Sequence, residues 1–427
     1  MVIRLHAWPS RIVLSGIMML GFLFASWLAL RPWVAQRIVS RGPIDQVTRR
    51  ALSVDPGNHR MQAILASLYH YGLVLRDYPA ALTAYRSTLR DNPLDSASWL
   101  HLGKLYGGLG QLPEADQAFR LATQLAPSNS ALLWEIAVAY LDQEQATRTL
   151  DTLVRFLSAP PDSTDLAKGY ELARTLVSPE EMLDALIPPD IPHYTHYANY
   201  LLDRNLGDQA LAVWSRLAEL AARTGEPIDP HLQLRVVDLL MATGKLGLAH
   251  QVWTNVIKQI EPDAAPTESN LVSNASFERE KTVGRGFDWR IGGAPGVAAA
   301  FDRVAAHVER RSLRLVFTKS RADFSNAYQI IPVQPDSIYA FEGYLKAQGL
   351  DASPGISLEI IDPSRGFLTR TDPVGGTRDW TKVAGRFRTV GNSRSVTLRI
   401  HGEPPPPYMP PLSGSAWIDK VSVKKIE

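Results

Sequence analysis

Between about residues 50 and 130 the chain repeats itself every 34 residues: Ala81 and Ala115, Tyr85 and Phe119, Pro93 and Pro127. No other feature limits the fold as strongly. A unit of this length holds two helices and a turn, cannot bury its apolar face alone, and must stack on its neighbours. Within 96–129, Trp99, Leu102 and Tyr106 recur at helical spacing and form one apolar face. Gly103 and Ala115 are small where two helices must cross closely. Pro127 ends the second helix because it has no N–H for the i→i−4 bond.

The full set in that unit is Trp99, Leu102, Gly103, Tyr106, Gly110, Ala115, Phe119, Ala122 and Pro127. It resembles the tetratricopeptide repeat at every signature position. The preceding unit, 62–95, keeps Leu65, Leu68, Ala81, Tyr85 and Pro93 but has Tyr69 and Gly72 at two signature positions, and Ala51 and Pro56 resemble the end of an earlier unit. Leu133, Ile136, Ala137 and Tyr140 open a third unit whose second helix is short and off-consensus. The stretch 177–193 is broken by Pro179, Pro188, Pro189 and Pro192. Two more helix pairs follow, around Tyr197–Trp214 and Val236–Trp253, with an insertion near 224–230. An all-α tetratricopeptide-like solenoid is therefore expected over residues 43–260. The resemblance implies a protein partner held in the concave groove of the stack.

Residues 261–269, EPDAAPTES, are a polar, proline-rich linker. Beyond it the apolar period falls from 3.6 to 2. Leu313, Leu315 and Phe317 alternate with Arg314, Val316 and Thr318; Val396, Leu398 and Ile400 alternate with Thr397, Arg399 and His401. About ten such runs, bounded by Gly, Pro, Asn and Asp, argue for an all-β two-sheet sandwich over 270–427. Residues 403–411 hold six prolines in nine positions, which makes them a loop before the last strand.

Four short motifs stand in order here: NLVSNASFE at 270–278, YQIIPV at 328–333, Asp379-Trp380, and AWIDKV at 416–421. Together they resemble the jelly-roll carbohydrate-binding modules of bacterial xylanases and cellulases. The resemblance implies two sites. One is a structural Ca²⁺ site with Glu278 and Asp419 as side-chain ligands, since hard oxygen donors suit that ion; Lys420 stands where the family often has a second acid. The other is a sugar platform. Alternation places Glu342 and Tyr344 opposite Tyr339 and Phe341, and Arg399 and His401 opposite Leu398. If those faces coincide, Gln329, Glu342, Tyr344, Arg399 and His401 would offer the mixture that sugars need, rings for C–H faces and polar groups for hydroxyls. Trp289, Trp380 and Trp417 read as core residues.

After a short tail, 1–11, residues 12–30 run for 19 positions without a charge, flanked by Trp8 and Trp33. At 1.5 Å per residue this reaches about 28 Å, close to a bilayer's hydrocarbon thickness. It reads as an uncleaved transmembrane signal anchor, placing the chain in a bacterial inner membrane as a single-pass protein. Arg31, Arg37, Arg41, Arg49 and Arg50 follow the span and favour a cytoplasmic C-terminal part. A glycan-binding domain favours the periplasm, which is the expected side.

Composition narrows the function. With 45% hydrophobic and 21% charged residues the chain builds packed cores, and a net charge of +2 argues against a nucleic-acid partner. The absence of cysteine excludes disulfide scaffolds, thiolate zinc sites and cysteine nucleophiles. His193 and His196 stand at i, i+3 but no third ligand is evident. No GxSxG, HExxH or phosphate-binding glycine loop occurs. The expectation is a non-catalytic scaffold. It would bind protein through its repeats and a polysaccharide through its sandwich, in making, assembling or exporting a surface polysaccharide. The competitors are a purely structural adaptor that binds no sugar, and a glycan-active enzyme using isolated carboxylates such as Glu359 and Asp362.

Overall fold

The computed structural model describes residues 18–27, 29–30, 34, 44–161, 165–260, 269–279 and 283–426. The expected membrane anchor is corrected first, and with it the inner-membrane location. Among the described residues no helix is long and apolar enough to cross a membrane. Residues 1–17 and 28 of the expected tail and span lie outside the described residues.

The chain forms two compact units that divide between His193 and Tyr194. The first is built from α1 (Ile44–Val54), α2 (His59–Tyr71), α3 (Tyr78–Asp91), α4 (Ser96–Gly108), α5 (Leu112–Leu125), α6 (Ser130–Asp142), α7 (Ala146–Leu157) and α8 (Ala167–Leu176). One helical turn, Pro179–Glu181, then runs into a π-helical turn, Met182–Leu186.

Short polar residues start the leading helix of each pair. Asn58 Oδ1 accepts from the Met61 amide at 3.2 Å, Asp95 Oδ1 from Ala97 at 3.2 Å, and Asn129 Oδ1 from Leu132 at 3.1 Å. Each such cap contributes roughly 1 kcal/mol. Ala81, Tyr85, Leu102, Leu105, Ala115, Phe119, Ile136 and Tyr140 are buried in one continuous core. Gly103 is needed by space: a Cβ there would stand 2.6 Å from Phe119 Cε1. The turn inside the second and third pairs needs left-handed backbone, supplied by Gly110 (φ 73°) and, 34 positions on, by Glu144 (φ 58°). The third unit thus keeps the repeat's backbone after its sequence signature has decayed.

The second unit holds most of α9 (Ile191–Asp203), then α10 (Gly207–Thr224), α11 (Pro230–Ala242), α12 (Leu246–Ile260) and ten strands. Sheet I has the order β1 (Arg290–Ile291), β4 (Phe324–Pro332), β9 (Ser395–Gly402), β6 (Ile356–Asp362), β7 (Gly366–Arg370). Sheet II has the order β2 (Val297–Asp302), β3 (Ser312–Ser320), β10 (Leu412–Lys425), β5 (Ile338–Leu350), β8 (Gly376–Arg388). Neighbouring strands are antiparallel throughout. Between the sheets lie Leu313, Leu315, Phe317, Phe341, Leu345, Leu358, Ile360, Leu398, Ile400 and Ile418. Leu313, Leu315, Phe317, Leu398 and Ile400 among them are the apolar members of the alternating runs, as period 2 requires. Trp289 and Trp417 are buried, whereas Trp380 is partly exposed.

Within this unit the segment 283–289 of the sandwich packs on α11 and α12. Arg285 Nε and Nη2 lie 2.7 and 2.6 Å from Asp238 Oδ2. Phe287 meets His250 edge-on, with ring centroids 5.2 Å apart, and lies 6.4 Å from Trp253. Most of α9 and all of α10, α11 and α12 share the compact unit of the sandwich, Tyr194–Glu427. Residues 261–268 lie outside the described residues.

Candidate functional site

Register brings five polar or aromatic side chains into one row across sheet I. Arg290 on β1 pairs with Tyr328 on β4. Tyr328 pairs with Arg399 on β9. Arg399 pairs with Glu359 on β6, and Glu359 with Arg370 on β7. All have the parity opposite to the core residues Leu358, Ile360, Leu398 and Ile400, so the row lies on the face turned away from the core. At about 4.8 Å per strand the row is about 19 Å wide.

Its centre is an acid set among bases. Arg399 holds Glu359 Oε2 through Nε at 2.7 Å and Nη2 at 2.6 Å. Arg370 Nη1 and His401 Nε2 each stand 3.8 Å from Oε1. The Glu359 side chain is only 3% exposed, so these partners offset its desolvation. His401 Nδ1 faces Asp323 at 3.2 Å, and Arg370 also reaches Glu403 at 3.6 Å. The Arg290 guanidinium lies 5.7 Å from the centre of the Tyr328 ring. Phe367 on β7 is exposed. The surface thus combines fixed donors and acceptors with aromatic area.

The five expected platform residues do not coincide. Arg399 and His401 join this row and its margin. Glu342 and Tyr344 lie on the outer face of sheet II, across the core. Glu342 is paired with Lys382 at 2.9 Å. His307 stacks on Tyr344 with centroids 3.7 Å apart, and Lys420 Nζ lies 5.8 Å from that ring. Gln329 is buried, its carboxamide accepting from the Ser273 amide at 2.9 Å and donating to the Ser273 carbonyl at 3.0 Å. The reason is topological: alternation gives a residue's parity, but only pairing decides which sheet its strand joins. Arg290, Tyr328, Glu359 and Arg370 were not among the expected platform residues, because their meeting depends on the same strand pairing.

Glu278 and Asp419 both grip the segment 307–311. Asp419, fully buried, accepts from the amides of His307 at 2.7 Å and Val308 at 2.9 Å through Oδ2, and from Lys420 at 2.6 Å through Oδ1. Burial pushes its carboxyl above the usual range, and these amides pull it back. Glu278 Oε1 accepts from Arg310 at 2.9 Å and Arg311 at 2.8 Å, while Arg311 Nη1 donates to the Glu278 carbonyl at 2.7 Å. Calcium takes about six to eight oxygen ligands. Here both carboxylates face N–H donors, and a guanidinium sits on the adjacent carbonyl. Among the described residues no group of three or more His, Asp or Glu could hold a metal. The residues fit a clasp on the backbone better than an oxygen cage for Ca²⁺.

His193 is likewise committed, with Nδ1 2.7 Å from Asp190 Oδ1 and Nε2 3.1 Å from the Ala159 carbonyl. Asp362 holds Ser364 and Ser393 at the β6–β7 turn and has the opposite parity to Glu359.

In the first unit, a cavity of about 520 Å³ lies between α2 and α4, lined by Ile64, Ser67, Tyr71, Tyr85, Ser98 and His101 among others. Tyr71 Oη and His101 Nδ1 are 3.1 Å apart across it. Burial pushes His70, stacked on Tyr71, down to about 4, which leaves it neutral at pH 7, and burial lowers His101 as well.

These two parts, a helical-repeat region and a β-sandwich, define the class. Residues 269–407 match the family model of a carbohydrate binding domain. Protein bimA of Emericella nidulans is 33% identical over 85 residues, 20% of this chain, and the match covers 10% of that protein's length. Among solved structures, a xylan-binding domain from Paenibacillus barcinonensis is 18% identical, covering 38% of this chain and 99% of that domain, with a TM-score of 0.26. YrrB, a TPR protein with an unusual peptide-binding site, is 14% identical, covering 51% of this chain and 93% of its own, with a TM-score of 0.24.

Proposed function

We propose that the protein is a non-catalytic scaffold. It binds a protein partner through its helical repeats and a glycan through the outer face of sheet I, in the assembly or export of a surface polysaccharide. The observation that carries the glycan half is the transverse row Arg290–Tyr328–Arg399–Glu359–Arg370, standing inside the segment that matches a carbohydrate binding domain. A sugar laid across it would find ring surface at Tyr328 and hydroxyl partners at the guanidinium and carboxylate groups. The cavity with Tyr71 and His101 supports the protein half, since apolar walls with a few convergent polar groups suit a peptide side chain.

Affinity electrophoresis of the whole chain in gels containing xylan, β-glucan or mannan tests the glycan half. Retardation by at least one glycan, lost in Tyr328→Ala and Glu359→Gln with unchanged circular dichroism, is expected. No retardation by any glycan, or retardation unchanged in both variants, would overturn it. An adaptor without sugar binding is the second reading, and the near-complete satisfaction of Glu359 within the protein favours it.

A further inference from the structure

The outer face of sheet II carries a different chemistry. On β8, Lys382, Arg386 and Arg388 share one parity, with the core residues Val383 and Phe387 between them. Register sets Arg386 and Lys424 on either side of Ala340, and Arg388 beside Ile338. Two strand spacings separate Arg386 from Lys424, about 10 Å, and Arg386 is about 7 Å from Arg388 along the strand. Lys382 is engaged by Glu342 and Lys425 by Gln334. Among the described residues, Arg386, Arg388 and Lys424 are exposed and have no carboxylate partner. Asp419 beneath the same face is spent on backbone amides and does not neutralise them. Further along β8, Trp380 is partly exposed and lies 5.6 Å from His307, itself stacked on Tyr344.

Edge strands often carry charges that discourage sheet-to-sheet pairing, and β8 is an edge. That accounts for Arg386 and Arg388. It does not account for Lys424, which stands on β10 inside the sheet, nor for an indole on the same face.

We propose that this face binds an anionic polysaccharide of the uronic-acid class, extended along β8. Its carboxylates meet Arg386, Arg388 and Lys424, and a sugar ring lies on Trp380. Cations spaced along a flat sheet suit a polymer with charges at intervals rather than one compact anion, and guanidinium groups bind carboxylates bidentately. An aromatic ring beside them suits the C–H face of a sugar. From Trp380 to Arg388 the strand runs about 27 Å, room for several sugars. The choice of a polysaccharide over another polyanion rests on the same family match as the proposed function; the face itself is distinct from the sheet I row.

Affinity electrophoresis of the whole chain in polygalacturonate tests this. Expected is retardation that weakens with salt, falls at least tenfold in the triple variant Arg386→Gln, Arg388→Gln, Lys424→Gln, and falls also in Trp380→Ala. Retardation by neutral glycans through sheet I stays unchanged in the triple variant, and Glu359→Gln leaves polygalacturonate binding intact, so the two readings fail separately. No binding to polygalacturonate, or binding unchanged in the triple variant, would overturn the proposal. So would equal binding to polyglutamate, DNA or phosphatidylserine vesicles, which would mark bare charge rather than sugar recognition.

Discussion

Arg279→Met should unfold the second unit far more easily, and the effect should depend on pH. Arg279 Nη2 lies 2.5 Å from Asp288 Oδ2, with side chains only 6% and 0% exposed. Asp288 also accepts from the amides of Val283 at 2.5 Å and Trp289 at 2.9 Å. Those bonds hold the segment whose Arg285 and Phe287 pack on α11 and α12. Removing one partner of a buried ion pair costs about 3–5 kcal/mol, because the other charge is left without compensation. In a unit of this size each kcal/mol lowers the melting temperature by about 2–4 °C, so a drop of roughly 6–20 °C is expected. Burial already pushes the Asp288 carboxyl above its ordinary range, and Arg279 is the largest influence opposing that. Without Arg279 the pKa rises further. A carboxyl raised in the folded state binds its proton more tightly there, so the stability deficit grows as pH rises through the folded pKa and shrinks below it. Thermal unfolding followed by calorimetry at pH 5 and pH 8 reads both effects, with Arg279→Met/Asp288→Asn recovering most of the loss. A loss under about 1 kcal/mol, or the same deficit against wild type at both pH values, would refute the reasoning.

Three further outcomes are expected. Gly103→Val should destabilise the first unit by about 1–3 kcal/mol in urea unfolding, because its Cβ must displace the Phe119 ring; Gly108→Ala, with nothing within 4 Å of its Cβ, is the neutral control. Chelator should leave the melting temperature of the second unit unchanged and Asp419→Asn should lower it, the signature of a backbone clasp; a chelator-induced fall would restore a calcium site at Glu278 and Asp419. His70 titrates at about 4 in the folded chain, below its ordinary 6.5, so it contributes stability that is lost as pH falls from 6.5 through 4. His70→Gln should flatten that part of the first unit's stability–pH curve, and an unchanged slope would count against the assignment.

Sequence alone determined the periods, and through them the architecture. A 34-residue recurrence with Gly103 under Phe119 can only be a stack of helix pairs, because the small residue, the ring and the spacing are all local to one unit. The alternating runs likewise determined strands and their inward sides, down to Leu315, Leu398 and Ile400. The third repeat was hard to read because Glu144 occupies the left-handed position that Gly110 marks in the second; the backbone conformation persisted after the residue that announces it was lost. Tertiary structure decided which outward residues meet. Arg399 could have faced Tyr344 on parity alone, but β9 pairs with β4 and β6 while β5 pairs with β10 and β8, which puts the core between them. The row around Glu359 and the cationic face beside Lys424 are products of strand order, and strand order is set by long-range pairing that leaves no periodic mark in the chain.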